Sequence, residues 1–246
     1  MASAGTSPDF GLTRGALHRV GAHILGRRRF DVAGTFGLRA SPGGFATPAF
    51  GPEIEVLRVS GPFLVREVGG TSTHIDMRGA RLSELAAFAV VDLSAPAAFG
   101  KEAPPVGDAS APLDVDLQHA QQIATWFSLA WRAIDRVVGR MPPSAGASTI
   151  QLWPEHFDAA TDVDAGDGNR ANLGFSPGDT SEPEPYLYLG PWGSGRPGAP
   201  SYWNAPFGAI KRASEIDAPL DSAEALDACV DFLQRGLRAL DPHRVG

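Results

Sequence analysis

Only one cysteine, Cys229, occurs in the 246 residues. A lone thiol excludes an internal disulfide framework and a multi-cysteine zinc site. Leu226, Val230 and Leu233 surround it at helical spacing, so it reads as a small buried apolar residue and not a reactive group. Positive charge is also scarce: 21 Lys and Arg face 28 Asp and Glu, for a net charge of −7. A nucleic-acid binder needs a basic face to neutralise phosphate, so that class is excluded. The one cationic run, Arg27-Arg28-Arg29, is expected to complement a helix C-terminus. No apolar run approaches the ~20 residues of a membrane span, and the N-terminus has no apolar h-region. The expectation is a cytoplasmic chain with no membrane or nucleic-acid partner. Phosphate loops, the dinucleotide fingerprint, the GxSxG elbow and HExxH are all missing, so their mechanisms have no support.

Hydrophobic residues make up 43% of the chain, enough for a substantial core. Residues 1–8 are small and polar and are expected to be disordered. Residues 9–246 are expected to form one α+β domain, with antiparallel sheet built from hairpins and helices packed on one side. Candidate halves are 9–93 and 114–246, joined by a Pro-, Ala- and Gly-rich crossover over 94–113.

An amphipathic helix is expected from about Asp9 to Arg28. It carries His18 and His23 five residues apart, the wrong spacing for two imidazoles on one α-helical face, and ordinary packing is expected for both. Loose alternation from Phe30 to Ala40 predicts a strand. Glu53–Val59, Phe63–Val68 and Thr71–Asp76 follow as hairpin strands, and Arg81–Val91 as a helix. Asp116 can cap the helix bearing Trp126 and Trp131, and Gly208–Ile216 reads as a last strand. Asp221 with Glu224 predicts a capping box for the final helix. Phe36–Gly44 and Leu173–Asp179 echo each other weakly, consistent with two related halves.

Chemistry concentrates between Ser148 and Trp192, where Trp, Tyr, His, carboxylates, Pro and Gly crowd together. Within Trp153-Pro154-Glu155-His156-Phe157-Asp158, a strand would place His156 and Asp158 on one face. A carboxylate beside an imidazole fixes its tautomer and raises its basicity. Glu155, His156 and Asp158 are therefore the candidate catalytic residues. Trp153, Phe157, Tyr188, Trp192 and Trp203 are candidate apolar and stacking walls for a ligand, with Asp179 and Glu184 as polar contacts. Asp162, Asp164, Asp167 and Asn169 fail the EF-hand spacing and read as a solvated turn. His74 and Asp76 could join His156 and Asp158 as a mixed N/O metal site, but nothing in the sequence shows the two strands meeting, and no metal ligand is assigned.

The runs Leu152–Asp158, Gly174–Asp179 and Glu184–Tyr188 together resemble a bacterial domain-of-unknown-function family. A larger uncharacterised family is similar in the same motif order. That family lacks the Glu155–His156 pair, so the resemblance implies Trp153, Phe157 and Asp158 as shared elements. It implies a fold and a site, and no reaction or cofactor.

The resulting expectation is a small-molecule-binding protein with its pocket lined by 148–192, extending to an enzyme using His156 as base. The alternative is a non-catalytic interaction or scaffold protein presenting these aromatics to a partner. Burial discriminates between them: a concave pocket favours the first, a flat exposed aromatic patch the second.

Overall fold

The computed structural model describes residues 8–95, 103–166 and 168–241. Of the expected N-terminal tail only Pro8 is described, and it already begins helix α1 (Pro8–Val20). This helix continues through a π-helical stretch, Gly21–Gly26, into α2 (Arg27–Ala33). The strand expected from Phe30 is thus helix for its first turn. The helix ends where Gly34 takes a left-handed φ of 68° and its N–H bonds Phe30 O at 2.8 Å. Arg27–Arg29 therefore sit at the start of α2, not at a helix C-terminus. Arg28 and Arg66 clamp the Glu55 carboxylate at 2.9 and 2.8 Å. Glu55 is almost fully buried, and these two cations hold its carboxyl below the usual carboxylate range despite burial.

Strands β1 (Arg39–Ser41), β2 (Gly44–Ala46), β3 (Val56–Ser60), β4 (Phe63–Val68) and β5 (Thr71–Asp76) pair antiparallel in chain order. The last two hairpin strands match the alternation read from sequence, and β3 starts later because Gly51–Ile54 form a turn. Helix α3 (Leu82–Ala89) follows. Helix α4 (Leu117–Val138) opens with the His119 N–H bonded to the Asp116 carboxylate at 2.9 Å, the expected cap.

A second meander repeats the plan: β6 (Gln151–Trp153), β7 (Asp158–Gly166), β8 (Asn169–Ser176), β9 (Tyr186–Pro191) and β10 (Ala209–Arg212), again in chain order. Helix α5 (Ala223–Leu240) closes the fold. The architecture is α+β, two five-stranded antiparallel meanders each preceded and followed by helix. The sequence echo does not express this repeat. Phe36–Gly44 runs into the β1–β2 hairpin, whereas Leu173–Asp179 leaves the end of β8.

The chain divides into two compact units. One holds the described residues up to 127 together with 152–158, and the other holds 128–151 and the residues from 159 onward. The division falls inside α4, not at 94–113. The described part of that crossover, 103–113, is laid along α1 by side chains that capture its carbonyls. Arg19 donates to Val106 O at 2.6 Å and Asp108 O at 3.0 Å, and His23 Nε2–H to Pro104 O at 2.6 Å. The Ser110 N–H and hydroxyl close a turn on the Asp108 carboxylate within this segment, at 2.8 and 2.6 Å. In the other unit, α5 lies on one face of the second sheet. Its Gly236 lets Leu189 of β9 and the Tyr202 ring approach the helix backbone.

The cap of α5 is displaced by one residue from the expected position. Ser222 accepts from the Ala225 N–H at 3.1 Å, because a turn closed by Ser222 N–H to Pro219 O ends the loop there. Ser222→Ala is expected to cost about 1 kcal/mol in urea unfolding. Asp221→Ala should stay within roughly 0.5 kcal/mol of the parent, as for a surface substitution away from a cap.

Candidate functional site

The segment carrying the candidate catalytic residues is a turn, which corrects the expectation that it continues as a strand. Residues 154–157 connect β6 to β7, closed by the Phe157 N–H bonded to Trp153 O at 2.7 Å. Phe157 takes a φ of 58°, a conformation that bulky residues avoid. The alternation on which the His156–Asp158 pair rested is lost. His156 is exposed, while Phe157 and Asp158 are buried. Glu155 is half-buried, with its Oε2 enclosed and lacking a hydrogen-bond partner. Trp153 is half-buried and packs edge-on against Phe36, 6.3 Å between centroids.

The turn lies on a bed made by α1 and its π-helical continuation. The Phe157 ring stacks on His18 (5.1 Å, 11°) and meets Phe45 and Phe127 edge-on, each at 5.3 Å. Gly21 supplies the floor: a β-carbon there would touch the Phe157 ring at 3.4 Å. Gly26 does the same for Pro154, where a β-carbon would come within 3.0 Å. Residues five apart share a face when hydrogen bonding is i to i+5, so the π-helix aligns these two glycines beneath one turn. Isolated glycines within an otherwise helical pattern were the available signal for such a close approach.

His18 is the functional candidate that the sequence left as ordinary packing. Carbonyl oxygens only accept, so its Nε2 carries the proton and donates to Pro154 O at 3.0 Å and Glu155 O at 3.2 Å. Burial pushes its pKa down to about 4, against the partly opposing pull of those carbonyls. The ring is neutral near pH 7, and its Nδ1 is an acceptor. His18 also lines a cleft of about 370 Å³. Gly11 and Gly15 of α1 form one wall, and Pro104, Pro112 and Leu113 the other. None of the residues proposed from the 148–192 stretch lines this cleft.

The remaining proposed ligand contacts belong to the second unit and are largely engaged in holding local structure. Asp179 ties its own turn, accepting from the Ser181 and Glu182 N–H groups at 2.6 and 2.8 Å and from the Tyr186 hydroxyl at 2.7 Å. Glu184 accepts from the Ser214 hydroxyl at 2.6 Å. Trp203 donates its indole N–H to Pro197 O at 2.8 Å and lies under Arg196. Trp192 is different: 64% exposed, with Arg170 over its ring and its N–H bonded to Asn172. Tyr188 lies flat over Gly174 and edge-on to Phe207.

The Asp-rich run is mostly strand, not a free turn. Asp162 of β7 pairs with Arg170 of β8, and Asp167 lies outside the described residues. His74 is exposed beside Phe63, and Asp76 is gripped by Arg78, whose guanidinium holds its carboxyl down at about 2. Among the described residues, no three His, Cys, Asp or Glu side chains are grouped to hold a metal ion. Cys229 is buried, and burial pushes its thiol up to about 12, as befits an inert core residue. No described helix is long and apolar enough to cross a membrane. No family model, curated protein or solved structure matches the chain.

Two outcomes follow from this geometry. His18 binds fewer protons when folded than when unfolded between its folded pKa of about 4 and its ordinary 6.5. Stability is therefore retained above pH 6.5 and lost as pH falls toward 4, by on the order of 2 kcal/mol. His23 titrates in the same direction, again through burial. His18→Gln should flatten part of this slope when urea midpoints are compared at pH 7 and pH 4.5. Gly26→Ala, favoured by roughly 1 kcal/mol on helix propensity alone, should instead destabilise, because its methyl meets the rigid Pro154 ring and Gly21 O.

Proposed function

We propose that the protein binds a small, mainly apolar molecule in the cleft beside α1, with His18 Nδ1 accepting a hydrogen bond from it. The observation that carries this reading is the cleft with its neutral imidazole. A volume near 370 Å³ lies in the range of ligand sites, roughly 300–1,000 Å³. Such sites are mostly apolar with a few placed polar groups, as here. The reading is of binding and not of catalysis. A base with a pKa near 4 is poorly matched to proton abstraction at neutral pH. His156, the base read from sequence, is exposed, whereas Asp158 is buried.

Gly15 provides the test. A β-carbon there meets nothing within 4 Å, so a larger residue enters open space on the cleft wall. Gly15→Leu should raise thermal stability, by somewhat under about 1 kcal/mol from helix propensity. It should also abolish the stabilisation that apolar fragments bearing one N–H or O–H give the parent in a thermal-shift screen. No stabilising fragment for the parent, or equal stabilisation of Gly15→Leu, ends the proposal.

A second reading rests on Trp192 and Phe207, exposed by 64% and 48%. Their exposure supports the alternative of an interaction protein that presents aromatics to a partner.

A further inference from the structure

The exposed face of the second sheet carries a row of aromatic side chains beside a row of planar polar ones. Cross-strand register sets Trp192 opposite Arg170, Gly190 opposite Asn172, and Tyr188 opposite Gly174. Asp162 of β7 lies opposite Asn172 on the same face. Phe207 comes in from the loop before β10, and its ring would meet a Gly190 β-carbon at 3.8 Å. It packs edge-on to Tyr188 at 6.1 Å. Along β9 the row thus runs Trp192, Phe207 over the Gly190 gap, then Tyr188. Four strand residues span roughly 13 Å.

Trp192 is exposed but held in place. Its backbone N–H bonds Arg170 O at 2.8 Å, its indole N–H bonds Asn172 Oδ1 at 2.8 Å, and the Arg170 guanidinium lies 5.9 Å from its ring. Arg170 is fixed in turn by the Asp162 carboxylate and by Gly146 O at 2.9 Å. A large apolar ring pinned at the surface by several restraints loses little conformational entropy when a ligand lies on it.

We propose that this face binds a neutral oligosaccharide, with pyranose rings stacked on Trp192 and Phe207 and hydroxyls meeting the Asn172 amide and the Asp162 carboxylate. Three features choose this ligand over others that also stack on aromatics. The Arg170 charge is matched by Asp162, and Asp164 adds an acid across from Arg170, so the face has no cationic surplus for a phosphate backbone. The indole N–H is engaged by Asn172, so the ring itself offers no donor to an extended peptide's carbonyls. What remains is a ring face for C–H groups beside side-chain oxygens and an amide, which suits a sugar's apolar face and hydroxyl edge.

Maltohexaose, cellohexaose and chitohexaose, titrated into the full chain and followed by the indole N–H resonances, test the proposal. At least one is expected to shift the Trp192 signal and bind with Kd in the millimolar range or tighter. Trp192→Ala and Phe207→Ala, both at exposed positions, should each weaken that binding by roughly tenfold or more. Gly15→Leu should leave it unchanged, separating this face from the α1 cleft. The proposal falls if none of the three sugars binds. It falls equally if binding survives Trp192→Ala, or if a proline-rich peptide takes the face in their place.

Discussion

The left-handed backbone of Phe157 is the constraint on which the first unit turns. A bulky residue in that conformation costs on the order of 1–3 kcal/mol and persists only where its surroundings over-determine it. Here the ring is enclosed by His18, Phe45 and Phe127 above the bare backbone of Gly21. Burying a phenylalanine contributes roughly 1.5–3 kcal/mol, enough to offset the strain. Once Phe157 is seated, the carbonyls of Pro154 and Glu155 face His18, and the imidazole has a fixed tautomer. The tautomer of His18 is therefore a consequence of how the β6–β7 turn is anchored.

Much of the fold was legible because its signals are local. Alternation marks β4 and β5 directly, and the wide apolar stripe with Asp116 before it marks α4. The Phe30 strand fails because helical packing carries the chain on to Gly34, whose left-handed φ, not the loose alternation before it, sets the boundary. The candidate site was read from period-two spacing, and the cleft lined by His18 lies outside the stretch that spacing singled out. Within Trp153–Asp158 period-two reasoning assumes a strand, whereas residues 154–157 form a turn. One residue with positive φ sends His156 and Asp158 to different environments. His18 was hidden for a related reason: its partners are backbone carbonyls some 136 residues away, and no spacing rule reports on them.

The second sheet divides its labour by face. Leu173 and Leu189 point to the core side, where α5 packs against Leu189 over Gly236. On the other side, residues that would crowd a flat surface are glycines, at 174 and 190, each opposite a larger side chain or beside one. Tyr188 lies down over the first and Phe207 leans on the second. The sheet is bare at those two points, and the two rings above it meet edge to face.

The π-helical stretch has a geometric consequence of its own. An α-helix turns by 100° per residue, and a π-helical turn holds about one residue more than an α-helical one. Gly21–Gly26 thus acts as a phase shifter in one continuous helix. Ahead of it, His18 serves the turn and the cleft; beyond it, Arg28 serves the buried carboxylate of Glu55. Were the same residues ordinary α-helix, every side chain beyond them would be turned by about a further quarter-turn. The π-helical winding therefore sets the azimuth at which Arg28 leaves the helix beyond it.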